Sequence, residues 1–261
     1  MKDFIIAKSK AILKNIGILL IYLLIWQLVY SLVQREVYLP SPGQVFMRLG
    51  ELIGEKSFWQ AVAMSMYRVV WGLFLATILG VVFGSLAGWS KFCYSLMHPL
   101  VVAIKSTPAI SFIIIALIWF SSSNAPIFIC VLMCFPIIWT NILTGIQSVD
   151  QKLLEMAKVY RVKKWDIMQK IYFPSILPYF TAAIITAIGM GWKVSVAAEV
   201  LSHPRHAVGS HLYTAKVYLD SSSLFAWTLV VITLSLILEK VLSYSLNKFN
   251  ERGTKHAEPS S

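Results

Sequence analysis

Four ionisable side chains, Arg68, Lys105, Lys193 and Glu199, stand inside long apolar runs of the sequence. A charge at the centre of a bilayer-spanning helix costs roughly 2.5–3.5 kcal/mol on insertion scales, so each must face protein or water rather than lipid. Two chemistries are open to them. Arg68 and Lys193, with Glu199, would line a translocation pathway and make it attractive to an anion. The same residues would equally serve as internal ion pairs, or as cations reaching out from near helix ends. Lys193 and Glu199 are six residues apart, about 120° around an ideal helix. Their partners are therefore expected on other helices.

Other reactive side chains suggest less. His203, His206 and His211 match no closed ligand set, and no neighbouring Cys or Glu completes four ligands, so no metal is assigned. Cys93, Cys130 and Cys134 lie in or beside apolar stretches and read as small buried hydrophobes rather than a disulfide framework or a thiolate cage. No Gly-rich phosphate loop, nucleophile motif or pair of carboxylates in polar surroundings is present. The chain reads as non-catalytic, with no catalytic residue and no cofactor of its own.

The elements that hold these residues follow from composition. Of 261 residues, 57% are hydrophobic and 13% charged, too little polar surface to coat a water-facing globule. The chain is expected to be an all-α polytopic membrane protein. Six runs are long enough to cross about 30 Å of hydrocarbon, near residues 12–33, 61–89, 96–120, 125–146, 176–200 and 224–246. The first is too long for a cleaved signal peptide, and no small-residue cleavage site follows it.

With the N-terminus inside, the inner segments hold Lys2, Lys8, Lys10, Lys14, Lys91, Lys152, Lys158, Arg161, Lys163, Lys164, Lys170, Lys248, Arg252 and Lys255. The outer segments hold only Arg35, Arg48, Lys56, Arg205 and Lys216. This asymmetry puts both termini in the cytoplasm. It also absorbs most of the net charge of +11, leaving a nucleic-acid partner nothing to explain. Three regions are expected: residues 1–58 with the first span and an outer amphipathic helix (Val45, Phe46, Leu49, Leu52, Ile53), a core at 59–248, and a cytoplasmic tail at 249–261.

Small residues recur every fourth position in the second run (Gly72, Ala76, Gly80, Gly84, Gly88) and in the fifth (Ala183, Ala187, Gly191, Ser195). Each forms a ridge where another helix can approach closely. The ridges pack within the chain, or else form a subunit interface or sliding surface. Proline at 108, 126, 136 and 178 would bend helices or free carbonyls.

The longest inner connection is SVDQKLLEMAKVYRVKKWDIMQKIYFP, residues 148–174. Ser148 or Asp150 would cap a helix that places Leu153, Leu154, Ala157 and Tyr160 at helical spacing. A break near Arg161 and Val162 precedes a second short helix with Trp165, Met168 and Ile171 or Tyr172 as its apolar stripe. Such a helix-turn-helix cannot bury these stripes in water, so it lies on lipid headgroups or in a groove of a partner.

Here the residues resemble a known pattern. Glu155, Met156, Ala157, Arg161, Ile171, Phe173 and Pro174 occupy the spacing of the E-A-A, G and I-x-L-P motif of permease subunits of bacterial ABC importers. LPSPGQV at 39–45, SMYRVVWGL at 65–73 and GWKVSVAAEVL at 191–201 are similar to the nitrate, sulfonate and taurine branch. The resemblance runs from about Leu39 to the sixth run. It implies a type I importer permease fold in the inner membrane, working as a homodimer by alternating access on a small anionic solute. It also implies two copies of an ATP-binding subunit, which would hold the ATP, and an extracytoplasmic solute-binding protein. The hairpin would dock on the ATP-binding subunit through Glu155, Met156, Ala157, Tyr160, Arg161, Ile171 and Pro174, and Gly209 would fall in an outward-facing gate.

Related permeases also serve thiamin-precursor or riboflavin-like solutes, and an ion-driven carrier or channel is the remaining alternative. Three positions depart from the pattern: Met156, Phe173 and Arg161 replace its alanine, leucine and glycine. Glycine would allow a left-handed turn that costs other residues about 1 kcal/mol or more. The turn at Arg161 is therefore expected to be built differently.

Overall fold

A computed structural model describes residues 2–255, and these contain helices and no strand. The helices are α1 (Lys2–Val33), α2 (Pro42–Gly54), α3 (Lys56–Trp89), α4 (Lys91–Ser106), α5 (Ala109–Trp119), α6 (Ala125–Gln147), α7 (Gln151–Val159), α8 (Lys164–Ile167), α9 (Phe173–Ser202), α10 (Val208–Val217) and α11 (Ser221–Lys255). Of the expected tail at 249–261, residues 256–261 lie outside the described residues. The chain divides into two compact units, Met1–Trp59 with His211–Val230, and Gln60–Ser210 with Val231–Ser261.

In the first unit α2 is the expected amphipathic helix. Ser41 caps it: its hydroxyl accepts the Gln44 N–H at 3.2 Å while the Gln44 side chain accepts the Ser41 N–H at 2.9 Å. This reciprocal box, with Pro42 opening the helix, satisfies two otherwise orphaned donors. Val45 and Leu52 are buried, Phe46 and Ile53 exposed.

The second unit is organised by the small-residue ridges. Cys130, Cys134, Ile138, Ile142 and Ile146 repeat every fourth residue along α6, and all are buried. The α3 ridge lies against them: a Cβ added at Gly80 would stand 2.7 Å from Ile138 Cβ, and one at Gly72 would stand 2.6 Å from Cys130 Cβ. From α9, Ala183 and Ala187 join the same cluster, and the Cys134 thiol donates to the Ala187 carbonyl at 3.3 Å. Both ridges thus pack within one chain, gripping α6. The cysteines are free, and Cys130 and Cys134 are fully buried.

Among the described residues four helices are long and apolar enough to cross a membrane: Lys56–Trp89, Ala125–Gln147, Lys164–Ser202 and Ser221–Val241. The third predicted run is a correction. It is no continuous helix but a pair, α4 and α5, meeting at 105°. Pro108 lacks an N–H and disfavours a helical Thr107, so α4 ends there. The Ser106 and Thr107 hydroxyls bond the Ala103 carbonyl, and Ser106 also bonds that of Val102. By contrast, α6 and α9 run on through Pro136 and Pro178. With the bent pair counted, the described residues give up to five such spans, and Gly17–Val33 of α1 is a further apolar helix below that length.

Candidate functional site

The second unit brings together Arg68 and Glu199 from opposite ends of the sequence. Arg68 is 1% and Glu199 0% exposed, and Arg68 Nη1 lies 3.0 Å from Glu199 Oε1. Ser65, one helical turn before Arg68 on α3, donates its hydroxyl to Glu199 Oε2 at 2.7 Å, and the Gly209 N–H donates to the same oxygen at 3.1 Å. Ser65 in turn accepts the Val208 N–H at 3.0 Å. The guanidinium also donates to the carbonyls of Ser123 (3.2 Å), His206 (3.3 Å) and Arg205 (3.4 Å).

Four of the five Arg68 N–H donors are therefore committed to protein. The arrangement ties α3, the turn before α6 and the loop between α9 and α10 to one buried charge pair. That loop needs tying, because His203 (φ 49°) and His206 (φ 56°) both hold the left-handed conformation. Gly209 is needed for close approach: an added Cβ would meet Glu199 Cβ at 2.5 Å and the Val196 carbonyl at 2.7 Å. Sequence reasoning singled out Arg68 and Glu199 but did not join them. The three-residue spacing of Ser65 and Arg68, which puts both on one helix face, was the available signal for Ser65.

Lys193 is not part of this cluster. It is exposed on α9, away from any described ion pair. Lys105, in the last turn of α4, is exposed at the α4–α5 break and donates to Thr140 Oγ1 at 2.7 Å. The N-terminus of α5 begins just beyond, with Pro108 offering no side-chain cap.

The segment 148–174 forms the expected hairpin. Asp150, not Ser148, caps α7, its carboxylate accepting the Lys152 N–H at 2.8 Å. Ala157 is buried, whereas Met156, Val159 (78%), Tyr160 (75%) and Trp165 (69%) are exposed. Glu155, Arg161 and Pro174 are exposed and Ile171 is half-buried. Glu155 makes no ion pair among the described residues.

Two expectations need correction here. The second arm is no separate helix, because α8 continues through a π-helical turn, Met168–Tyr172, into α9. The turn at Arg161 is also not built differently: Arg161 itself adopts φ 50°. The Val162 N–H bonds the Ala157 carbonyl at 2.9 Å and the Arg161 N–H bonds that of Lys158 at 3.2 Å. This paired closure of a helix end satisfies the last carbonyls with a left-handed residue in the position usually held by glycine. The hydrogen bonds offset the steric cost that arginine adds.

Comparison with known proteins places these features in context. The family described as "Binding-protein-dependent transport system inner membrane component" matches residues 76–256. The taurine transport system permease protein TauC of Escherichia coli (strain K12) is 25% identical over 238 residues, covering 88% of this chain and 86% of its own length. The putative aliphatic sulfonates transport permease protein SsuC of Bacillus subtilis (strain 168) is 28% identical, covering 82% of this chain and 79% of its own. Among solved structures, a bacterial ABC transporter involved in the import of the acidic polysaccharide alginate superposes with a TM-score of 0.57 at 14% identity. That match covers 94% of this chain and 98% of the other, a likeness of fold.

Proposed function

The chain belongs to the family of binding-protein-dependent transport system inner membrane components, and from that premise we propose that it imports a small anion by alternating access, driven by ATP hydrolysed on a separate subunit. As the permease component of an ABC importer it is a multi-pass membrane protein and a transport component. The observation that carries the coupling reading is the hairpin at 148–174. Val159, Tyr160 and Trp165 expose apolar surface beside exposed cations, a surface suited to the groove of a partner. Glu155, Met156, Tyr160 and Arg161 form its docking face, and Ile171 and Pro174 set the exit into α9.

Because α8 and α9 are joined without a loop, a push on the hairpin passes directly into a spanning helix. Such a rigid connection suits a rocking transition between two states. Taurine and aliphatic sulfonates, named for two relatives, share an ionised sulfonate group, and this supports a cargo that carries such an anionic group. In the full assembly two copies of the chain form the pathway, two ATP-binding subunits hold the nucleotide, and an outer binding protein delivers the solute. The cation asymmetry supports a cytoplasmic side for both termini.

The test is reconstitution into proteoliposomes with the ATP-binding subunit. Uptake is expected to need ATP, and Glu155→Ala is expected to lower ATP-driven uptake and weaken co-purification of the two subunits. Uptake that runs without the ATPase overturns the coupling. A Glu155→Ala protein that assembles and transports normally removes Glu155 from the docking face.

A further inference from the structure

We propose that the cavity at the α4–α5 break is the anion site of the pathway, with Lys105 as the group that contacts the solute. The proposal rests on the anion-import reading above and locates where that anion is held. Two cations of the second unit, the buried Arg68 and the exposed Lys105, differ in one decisive respect. Arg68 has four of its five N–H donors engaged by carbonyls and Glu199. Lys105 has a single described partner, Thr140 Oγ1 at 2.7 Å. Thr140 donates its own hydrogen to the Pro136 carbonyl at 2.7 Å, so it orients the ammonium without neutralising it. An ammonium carries three N–H donors, and two of these remain.

Those donors border a cavity of about 250 Å³ lined by Lys105, Thr107, Met133, Pro136, Met190 and Val194. Its walls supply no carboxylate. A cation in the last turn of an apolar helix, beside an apolar-walled cavity and without an ion pair among the described residues, is completed by a mobile anion. The volume admits a small oxyanion, such as nitrate, bicarbonate or a short sulfonate, and is below that of sites for larger organic ligands. Helix geometry explains why the cavity exists here. The 105° bend at Thr107 and Pro108 parts α4 from α5 just where Lys105 emerges, and broken spans line cavities rather than lipid. Lys193 extends the same surface: exposed on α9, it stands one helical turn beyond Met190 and next to Val194, both in the cavity wall.

The experiment uses the assembled transporter in proteoliposomes, with nitrate, bicarbonate and methanesulfonate as labelled probes. Lys105→Gln is expected to slow uptake of the transported anion at least tenfold, about 1.4 kcal/mol, and Lys105→Arg to keep most of it. Co-elution with the ATP-binding subunit reports assembly. A second arm places Lys105→Cys in a Cys93→Ser background, since Cys130 and Cys134 are buried. After purification it is modified with either an aminoethyl or a sulfonatoethyl thiosulfonate reagent. The aminoethyl adduct restores an ammonium and is expected to revive uptake, and the sulfonatoethyl adduct is not. The two products share one fold, so a merely structural lysine would not separate them. Unchanged uptake by Lys105→Gln, or equal behaviour of the two adducts, overturns the site. A wild-type complex that moves none of the three anions with ATP overturns the anion reading itself, and the site with it.

Discussion

Removing Glu199 should be far more damaging than removing an ordinary surface carboxylate, and removing Arg68 as well should add little to the loss. Glu199→Ala leaves a guanidinium that is 1% exposed with only the Ser123, Arg205 and His206 carbonyls as acceptors. Breaking a buried ion pair from one side typically costs roughly 3–5 kcal/mol, because the remaining charge stays buried and unpaired. Arg68→Ala is expected to cost a similar amount, leaving a buried carboxylate held by Ser65 and the Gly209 N–H alone. In the double variant no charge is stranded, so its loss should match the worse single change, a coupling the size of the lesser one, roughly 3–5 kcal/mol.

At roughly 2–4 °C per kcal/mol for a chain of this size, each single change lowers the thermal midpoint of the detergent-purified protein by on the order of 10 °C. The measurement is a thermal unfolding series on wild type, both singles and the double. Exchanging the two residues should not rescue, because three carbonyl oxygens would then face a carboxylate at position 68. Singles that add within about 0.5 kcal/mol, or a swap that restores the midpoint, would refute the reasoning.

Three further outcomes follow from local geometry. Arg161→Gly removes the steric cost of a side chain at φ 50°, about 1 kcal/mol less the extra freedom of unfolded glycine. Exchange of the Val162 amide should slow by up to roughly fivefold, and faster exchange would show that Arg161 contributes something the turn geometry does not capture. Gly209→Ala drives a methyl to within 2.5 Å of Glu199 Cβ, an overpacking cost of roughly 1–3 kcal/mol; an unchanged thermal midpoint would contradict the contact. Asp220 accepts the Ser223 N–H at 3.0 Å at the start of α11. Partial burial draws its carboxyl upward, but the Ser223 hydroxyl and N–H and the Arg48 charge together hold it below the usual carboxylate range. A depressed carboxylate contributes stability that is complete above its unfolded pKa and is lost as pH falls through the folded value. Asp220→Asn should therefore lower the midpoint at neutral pH and leave it unchanged below that acid window, and equal shifts at both would sink the assignment.

Periodic features were legible in the sequence because periodicity survives without coordinates. The four-residue repeat from Gly72 to Gly88 found its groove on α6, and Val45 and Leu52 fell on the buried face of α2. Features that depend on a third element were not legible. Nothing in the spacing of Arg68 and Glu199 says that they meet, since the helices carrying them are brought together by side chains on α6. The bend at Pro108 was visible as a proline but not as a corner, because Pro136 and Pro178 stand in helices that continue.

The two membrane-depth cations show why charge alone is a poor guide to a pathway. By sequence Arg68 and Lys105 are equivalent, each a lone cation in an apolar run. Their donor inventories differ: Arg68 has four of its five donors on Ser123, the loop that holds two left-handed histidines, and Glu199, whereas Lys105 has one described partner beside a cavity. A guanidinium with four of five donors engaged that turned toward a solute would have to abandon a buried carboxylate, at the cost of breaking the pair from one side. An ammonium steadied by one threonine gives up nothing when an anion arrives. The charge able to take a further partner is therefore the one the fold leaves incomplete, and the most heavily bonded one is best placed to hold the α9–α10 loop.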